Sequence, residues 1–151
     1  AWTRWGTQAL DYLFVPGTGL SPQKLSAIAS GGEVSRVMLA LKVVLGSCDD
    51  VDTLVFDEID AGVGGKTALA LAAVLKDLAQ THQLIVVTHL PQVAVVGDAH
   101  YLVEKQEEPE LTTNIRALSA EERVVEVARM LSGRVDETSL AHAKELLASA
   151  H

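Results

Sequence analysis

Three ionisable side chains in this sequence fall where two short apolar runs end. Thr53 to Phe56 closes on Asp57-Glu58, and Leu84 to Val87 closes on Thr88-His89. Runs of this kind read as buried parallel strands. In an open α/β sheet, ligands sit beyond the carboxyl ends of the strands, so Asp57, Glu58 and His89 are expected to converge on one crevice. The first carboxylate of such a pair can hold Mg²⁺, often through water, and the second can polarise a water molecule for attack on a γ-phosphate. A neutral imidazole offers both a donor and an acceptor, which suits His89 to sensing the phosphate or orienting that water. Each feature also has a plainer reading: the carboxylates as the start of a polar loop, the histidine as an ordinary hydrogen-bonded residue.

Ser30-Gly31-Gly32-Glu33 precedes a strongly helical run. Backbone N–H groups, the positive end of the helix dipole and a small hydroxyl make an anion site there plausible chemistry, and a simple helix cap after a glycine turn is the alternative. Gly64-Gly65-Lys66-Thr67 looks like the end of a P-loop. The pattern G-x-x-x-x-G-K-S/T, however, requires glycine where this chain has Asp60. A strand that delivers Asp57 and Glu58 just before it would also repel a triphosphate, so a mobile glycine-rich loop fits better. His82, His100, His142 and His151 have no metal-ligand spacing and are expected on the surface. Cys48 has no nearby base to activate it. Arg123, Arg129 and Arg134 are read as a solvated helix face paired with Glu121, Glu122 and Glu126 rather than as a basic ridge.

The elements that must position these groups follow from patterning. Leu10 to Val15 reads as a strand entering a Pro-Gly loop. A helix from Glu33 to Leu45 is apolar almost all round, with only Glu33, Ser35, Arg36 and Lys42 seeking water, so it is expected to be largely buried. Helices are expected at Lys66 to Gln80 and, opened by Pro91, through Val96. Ala99 to Lys105 and Thr112 to Leu118 resemble hairpin arms. Ser119 with Glu122 predicts a capping box opening a helix to Leu131, and Asp136 to Ala148 is the last helix. Strands alternating with helices give an α/β architecture with a parallel sheet.

Composition bounds the function. At 151 residues the chain is about one domain, and 48% hydrophobic with 21% charged residues fits a globular core. Only 4% is aromatic, which argues against a stacking platform for single strands. A net charge of −8 supplies no broad basic face for a phosphate backbone. The lone cysteine, the lack of a signal-peptide pattern and the short apolar stretches lead to the expectation of a cytoplasmic protein without a membrane partner.

Taken in order, Ser-Gly-Gly-Glu at a helix start, strand-Asp-Glu, the loop from Asp60 to Gly65 and strand-Thr-His resemble the succession in ABC-type ATPase heads. The match narrows to the RecN family of bacterial SMC-like DNA repair proteins. It is carried by Ala29-Ser30-Gly31-Gly32-Glu33-Val34-Ser35-Arg36 and Met38-Leu39-Ala40-Leu41-Lys42. Phe56 to Gly65, Val87-Thr88-His89-Leu90-Pro91-Gln92-Val93-Ala94 and the tail around Ala128-Arg129-Met130-Leu131 carry it too. The likeness runs from about Gly6 to Ala148. One departure is Val15-Pro16-Gly17-Thr18-Gly19, where the family usually has an asparagine near its Pro-Gly.

The resemblance implies that residues 1–151 are the C-terminal lobe of an ABC-type head, lacking the P-loop half. Asp57 would support Mg²⁺, Glu58 would be the general base and His89 the switch histidine. Asp60, Gly62 and the glycines after it would form the D-loop. Ser30, Gly31, Gly32 and Glu33 would form the signature that binds ATP held by an opposite head. The implied cofactors are ATP and Mg²⁺. The implied partners are the P-loop-containing N-terminal half, a second head and DNA, in double-strand break repair by recombination at the nucleoid. Hydrolysis would need the P-loop half, and the lobe alone would be inactive. Other readings are a stand-alone nucleotide-binding enzyme using Gly65-Lys66-Thr67 and a non-catalytic interaction domain.

Overall fold

The structure, a computed structural model, describes residues 4, 6, 7, 11–15, 17–27, 31–45, 51–106 and 112–150. Ser30, Cys48, His151 and the segment Glu107, Glu108 and Pro109 lie outside the described residues. In chain order come β1 (Leu13–Phe14), β2 (Gln23–Lys24), α1 (Gly31–Leu45), β3 (Thr53–Phe56), α2 (Gly65–Leu78) and β4 (Gln83–Val86). There follow α3 (Pro91–Ala94), β5 (Tyr101–Gln106), β6 (Thr112–Ala117), α4 (Ala120–Ser132) and α5 (Glu137–Ala150).

β3 and β4 pair in parallel, with Thr53 opposite Gln83 and Phe56 opposite Val86. Their connection contains α2, as a parallel crossover requires. The pairing continues past both strands, where Val87 N donates to Phe56 O at 2.9 Å. This register brings Asp57-Glu58 and Thr88-His89 out side by side. The other two pairs, β1–β2 and β5–β6, are antiparallel.

Period-two alternation sorts the β3 side chains. Leu54 and Phe56 face α2 and join Leu39, Ile59, Leu71, Leu75, Leu78 and Val93 in the main core. Burial of each large side chain there contributes about 1.5–3 kcal/mol. The opposite face is open, with Val55 65% and Ile85 50% exposed. The strands are therefore half-buried, not buried on both faces as their near-continuous apolar character suggests. α1 departs from expectation in the same way. Only Gly32 and Leu39 are buried on it, while Val44 is 83% exposed. One side of α1 meets the turn after β3, and its remaining apolar residues have no covering layer among the described residues.

A second core gathers Val95, Val127, Ala128 and Ala143 between α4 and α5. Val93 of α3 belongs to the first core and Val95, just after it, to the second, so this short helix links them. The α4 capping box forms as its spacing predicts: Glu122 N donates to Ser119 Oγ at 3.2 Å, and Ser119 N donates to Glu122 Oε2 at 2.8 Å. Gly133 ends α4 with φ of 73°, a left-handed conformation that glycine adopts freely.

Two surface expectations change. Arg129 does pair with Glu126, at 2.6 Å, but Arg123 turns inward and donates to the carbonyls of Ala94, Val95 and Gly97. Those carbonyls end α3 and the turn after it, and a guanidinium satisfies several at once. His82 is buried rather than exposed, with Nδ1 2.8 Å from Thr81 Oγ1.

Candidate functional site

The turn after β3 meets the first two turns of α1, and the contact is built from glycine, serine and arginine. A Cβ placed on Gly31 would stand 2.5 Å from Glu58 Oε2. A Cβ on Gly32 would stand 2.7 Å from Glu58 O and 2.8 Å from the Ala61 Cβ. Gly32 is therefore needed for α1 to approach the turn this closely, whereas at Gly31 only the end of the flexible Glu58 side chain stands in the way. Ser35 Oγ donates to Asp57 O at 2.9 Å. Arg36 Nη1 donates to Ile59 O at 3.2 Å and to Ala61 O at 2.8 Å. Gly32, Ser35 and Arg36 lie at i, i+3 and i+4, which puts them on one helix face. That spacing was the available signal that Ser35 and Arg36 do not simply seek water.

The turn itself is tight. Glu58 N donates to Asp57 Oδ1 at 2.9 Å, and Glu58 O accepts from Ala61 N at 3.0 Å. Glu58 has φ of 55°, the only non-glycine left-handed residue among those described. For an L-residue this conformation costs about 1–2 kcal/mol, and the bonds from Ala61, Ser35 and Arg36 hold it. Both carboxylates are exposed at the surface of the turn.

Asp60 points the other way. Its buried Oδ2 accepts from Thr88 Oγ1 at 2.5 Å and from His89 N at 2.9 Å, and lies 3.1 Å from His89 Nδ1. Burial pushes the Asp60 carboxyl up, but the Thr88 and His89 bonds and the nearby imidazole together outweigh it and hold the group below its ordinary value. Thr88 Oγ1 in turn accepts from Leu90 N at 3.0 Å, so the same hydroxyl sets the start of α3.

The structure thus brings Gly31, Gly32, Asp57, Glu58, Asp60 and His89 into one connected cluster. Glu33 sits in the first turn of α1, half-buried. Gly62 has φ of 71° and open space where a Cβ would go, so it serves the turn. Gly65 opens α2, with Lys66 and Thr67 exposed behind it. Asp60, which stands where a P-loop needs its first glycine, is committed to Thr88 and His89. Residues overlooked in the sequence are Arg36, Ser35 and the Thr88 hydroxyl.

Asp57 Oδ1 is engaged by the Glu58 amide, and the residue is exposed. Among the described residues no group of three acidic, histidine or cysteine side chains could cage a metal. An exposed carboxylate pair is the donor type that could hold Mg²⁺, which commonly takes one or two carboxylates together with substrate phosphates.

No family model matches the chain. A solved structure from work on the structural biochemistry of ATP-driven dimerization and DNA-stimulated activation of SMC ATPases aligns with a TM-score of 0.56. It covers 85% of this chain and 77% of that one at 20% sequence identity. The fold is therefore similar to that of an SMC ATPase structure, α/β with one parallel strand pair among the described residues. The DNA repair protein RecN of Deinococcus radiodurans is 53% identical over 134 residues, which span 88% of this chain and 23% of that protein. RecN of Streptomyces coelicolor is 48% identical over 147 residues, or 96% of this chain and 26% of that protein. The chain belongs to the RecN family, and it spans about a quarter of the length of these relatives.

Proposed function

We propose that this chain supplies the signature, the carboxylate pair and the switch histidine of an ATP-hydrolysing head that engages a second head across ATP in DNA double-strand break repair. The observation that supports this most is the clamp of α1 on the turn after β3. Gly31, Ser35 and Arg36 fix the signature helix, Asp57 and Glu58 as one unit.

Each residue then has a task. Asp57 would hold the cation by its carboxylate, and Glu58 would take the proton from an attacking water. His89 orients that water or faces the γ-phosphate. The amino end of α1, with Gly31, Gly32 and Glu33, offers N–H groups and a positive dipole end to a nucleotide carried by the opposite head, and Ser30, which precedes them in the sequence, completes the signature. Asp60 and Gly62 shape the loop between the two. Mg-ATP, when bound, supplies the phosphoryl group and the charge that organises it. The P-loop is assigned to the part of the relatives' length that this chain does not span, and the chain alone is expected to be inactive. DNA is contacted through the assembled protein at the nucleoid, in keeping with relatives named as DNA repair proteins. No helix among the described residues is long and apolar enough to cross a membrane.

The test is sedimentation of the assembled head carrying Glu58→Gln with and without Mg-ATP. Slowed hydrolysis should trap engaged heads, so dimer should accumulate only with nucleotide. Equal dimer with and without Mg-ATP would overturn the reading.

A further inference from the structure

α3 is a single turn between the two cores, and hydrogen bonds pin it at both ends. At its start, Leu90 N donates to Thr88 Oγ1 at 3.0 Å and His89 N donates to Asp60 Oδ2 at 2.9 Å. Leu90 is the helix cap, and its carbonyl accepts from Val93 N at 3.1 Å and from Ala94 N at 3.0 Å, so His89 adjoins the helix directly. At the other end, the last carbonyls of a helix have no partner within it. Arg123 Nη2 donates to Ala94 O, Val95 O and Gly97 O at 3.2, 2.9 and 2.5 Å. Nothing compliant separates the two ends. The helix has 4 residues, each rising about 1.5 Å, so a shift at one end is carried to the other.

Arg123 is itself rigidly mounted. It sits in the first turn of α4, where its N donates to Ser119 O at 2.9 Å behind the Ser119–Glu122 capping box. Its Nε is buried with no hydrogen-bond partner among the described residues. Burial pulls the guanidinium below its ordinary value, against the opposing charge of Asp98. A side chain that only filled the seam between α3 and α4 would avoid that penalty by being apolar. An apolar side chain could not hold three carbonyls in place.

We infer that Arg123 is a positioning residue that ties α4 to the end of α3 and thereby fixes the backbone presenting His89. The purpose of the tie rests on the head-ATPase reading, in which His89 faces the nucleotide. The second core then supports the site mechanically: α4 holds α3, and α3 holds the segment that carries His89.

The experiment compares Arg123→Met, which keeps most of the stem but no donor, with Arg123→Lys, which keeps one charged donor. In ¹H–¹⁵N correlation spectra of the chain without nucleotide, the His89 and Leu90 amides should shift in the methionine variant and shift less in the lysine variant. A folded methionine variant with both amides unmoved would overturn the inference. Should that variant fail to fold, the lysine variant decides, and unmoved amides there overturn it equally. In the assembled head, below the melting range of every variant, Arg123→Met should lower kcat about 10- to 100-fold with KM for ATP little changed, and Arg123→Lys should recover part of the loss. Parent-like kcat in the methionine variant would overturn the catalytic purpose. A parent head that hydrolyses no ATP would instead refute the ATPase reading and leave the amide shifts to decide the tie.

Discussion

Gly31 and Glu58 occupy one space: the position a Gly31 Cβ would take lies 2.5 Å from the Glu58 Oε2. The helix start and the exposed carboxylate are thereby coupled within a single chain, and the coupling separates two neighbouring glycines by what they touch. At Gly31 the obstacle is the end of a flexible side chain. At Gly32 it is the Glu58 carbonyl and the Ala61 Cβ, which move only if the backbone does.

Gly31→Ala should therefore change stability by less than about 0.5 kcal/mol yet displace the carboxylate and impair turnover in an assembled head. Gly32→Ala should cost about 1–3 kcal/mol by overpacking. Urea unfolding of the two variants checks the contrast, and equal losses would contradict it.

Arg36 holds the turn through Ile59 O and Ala61 O. Arg36→Met keeps most of the stem but removes both bonds, and should cost about 1.5–3 kcal/mol, the range for bonds to a charged group. The loss should be local. Hydrogen exchange should quicken at Ala61 N and Val63 N, which bond Glu58 O and Asp60 O, while the α4 amides stay protected.

The left-handed backbone of Glu58 separates strain from chemistry. Asparagine tolerates that conformation, so Glu58→Asn should retain parent-like stability. A β-branched residue does not, and Glu58→Val should lose about 1–2 kcal/mol. Both should abolish hydrolysis in an assembled head. Thermal unfolding beside an ATPase assay distinguishes the two effects.

Asp60 makes stability depend on pH. Its folded pKa lies below the ordinary value of 3.8, so the unfolded chain takes up the proton first as pH falls. The stability from its bonds is fully present above that ordinary value and is lost as pH drops through the lower folded one. Asp60→Asn should be less stable near neutrality and show a shallower acid dependence across that window. Denaturant midpoints at a series of pH values report it.

Much of the architecture is legible in the sequence where the causes are local. The β3 and β4 runs, the Ser119–Glu122 capping box and the Pro91 helix start each depend on a few adjacent residues, and each forms. What α1 packs against is not local. Its apolar circumference predicts burial, but Val44 and its neighbours find no covering layer among the described residues. The polar exceptions carry the site: Ser35 and Arg36 spend their donors on turn carbonyls that only the tertiary fold brings near. Asp60 is indistinguishable in sequence from a solvated loop aspartate, and only the β3–β4 register places it under Thr88 and His89. Arg123 likewise has acidic neighbours on its own helix but is drawn to three carbonyls at the end of α3.

The most direct test is steady-state ATP hydrolysis by this chain alone and after mixing with a P-loop-bearing head lobe, with Glu58→Gln as control. The account predicts no turnover alone, and turnover on mixing that falls by about 100-fold or more in the variant. Robust Glu58-dependent hydrolysis by the chain alone would contradict it and place a complete nucleotide site around Gly62 to Thr67.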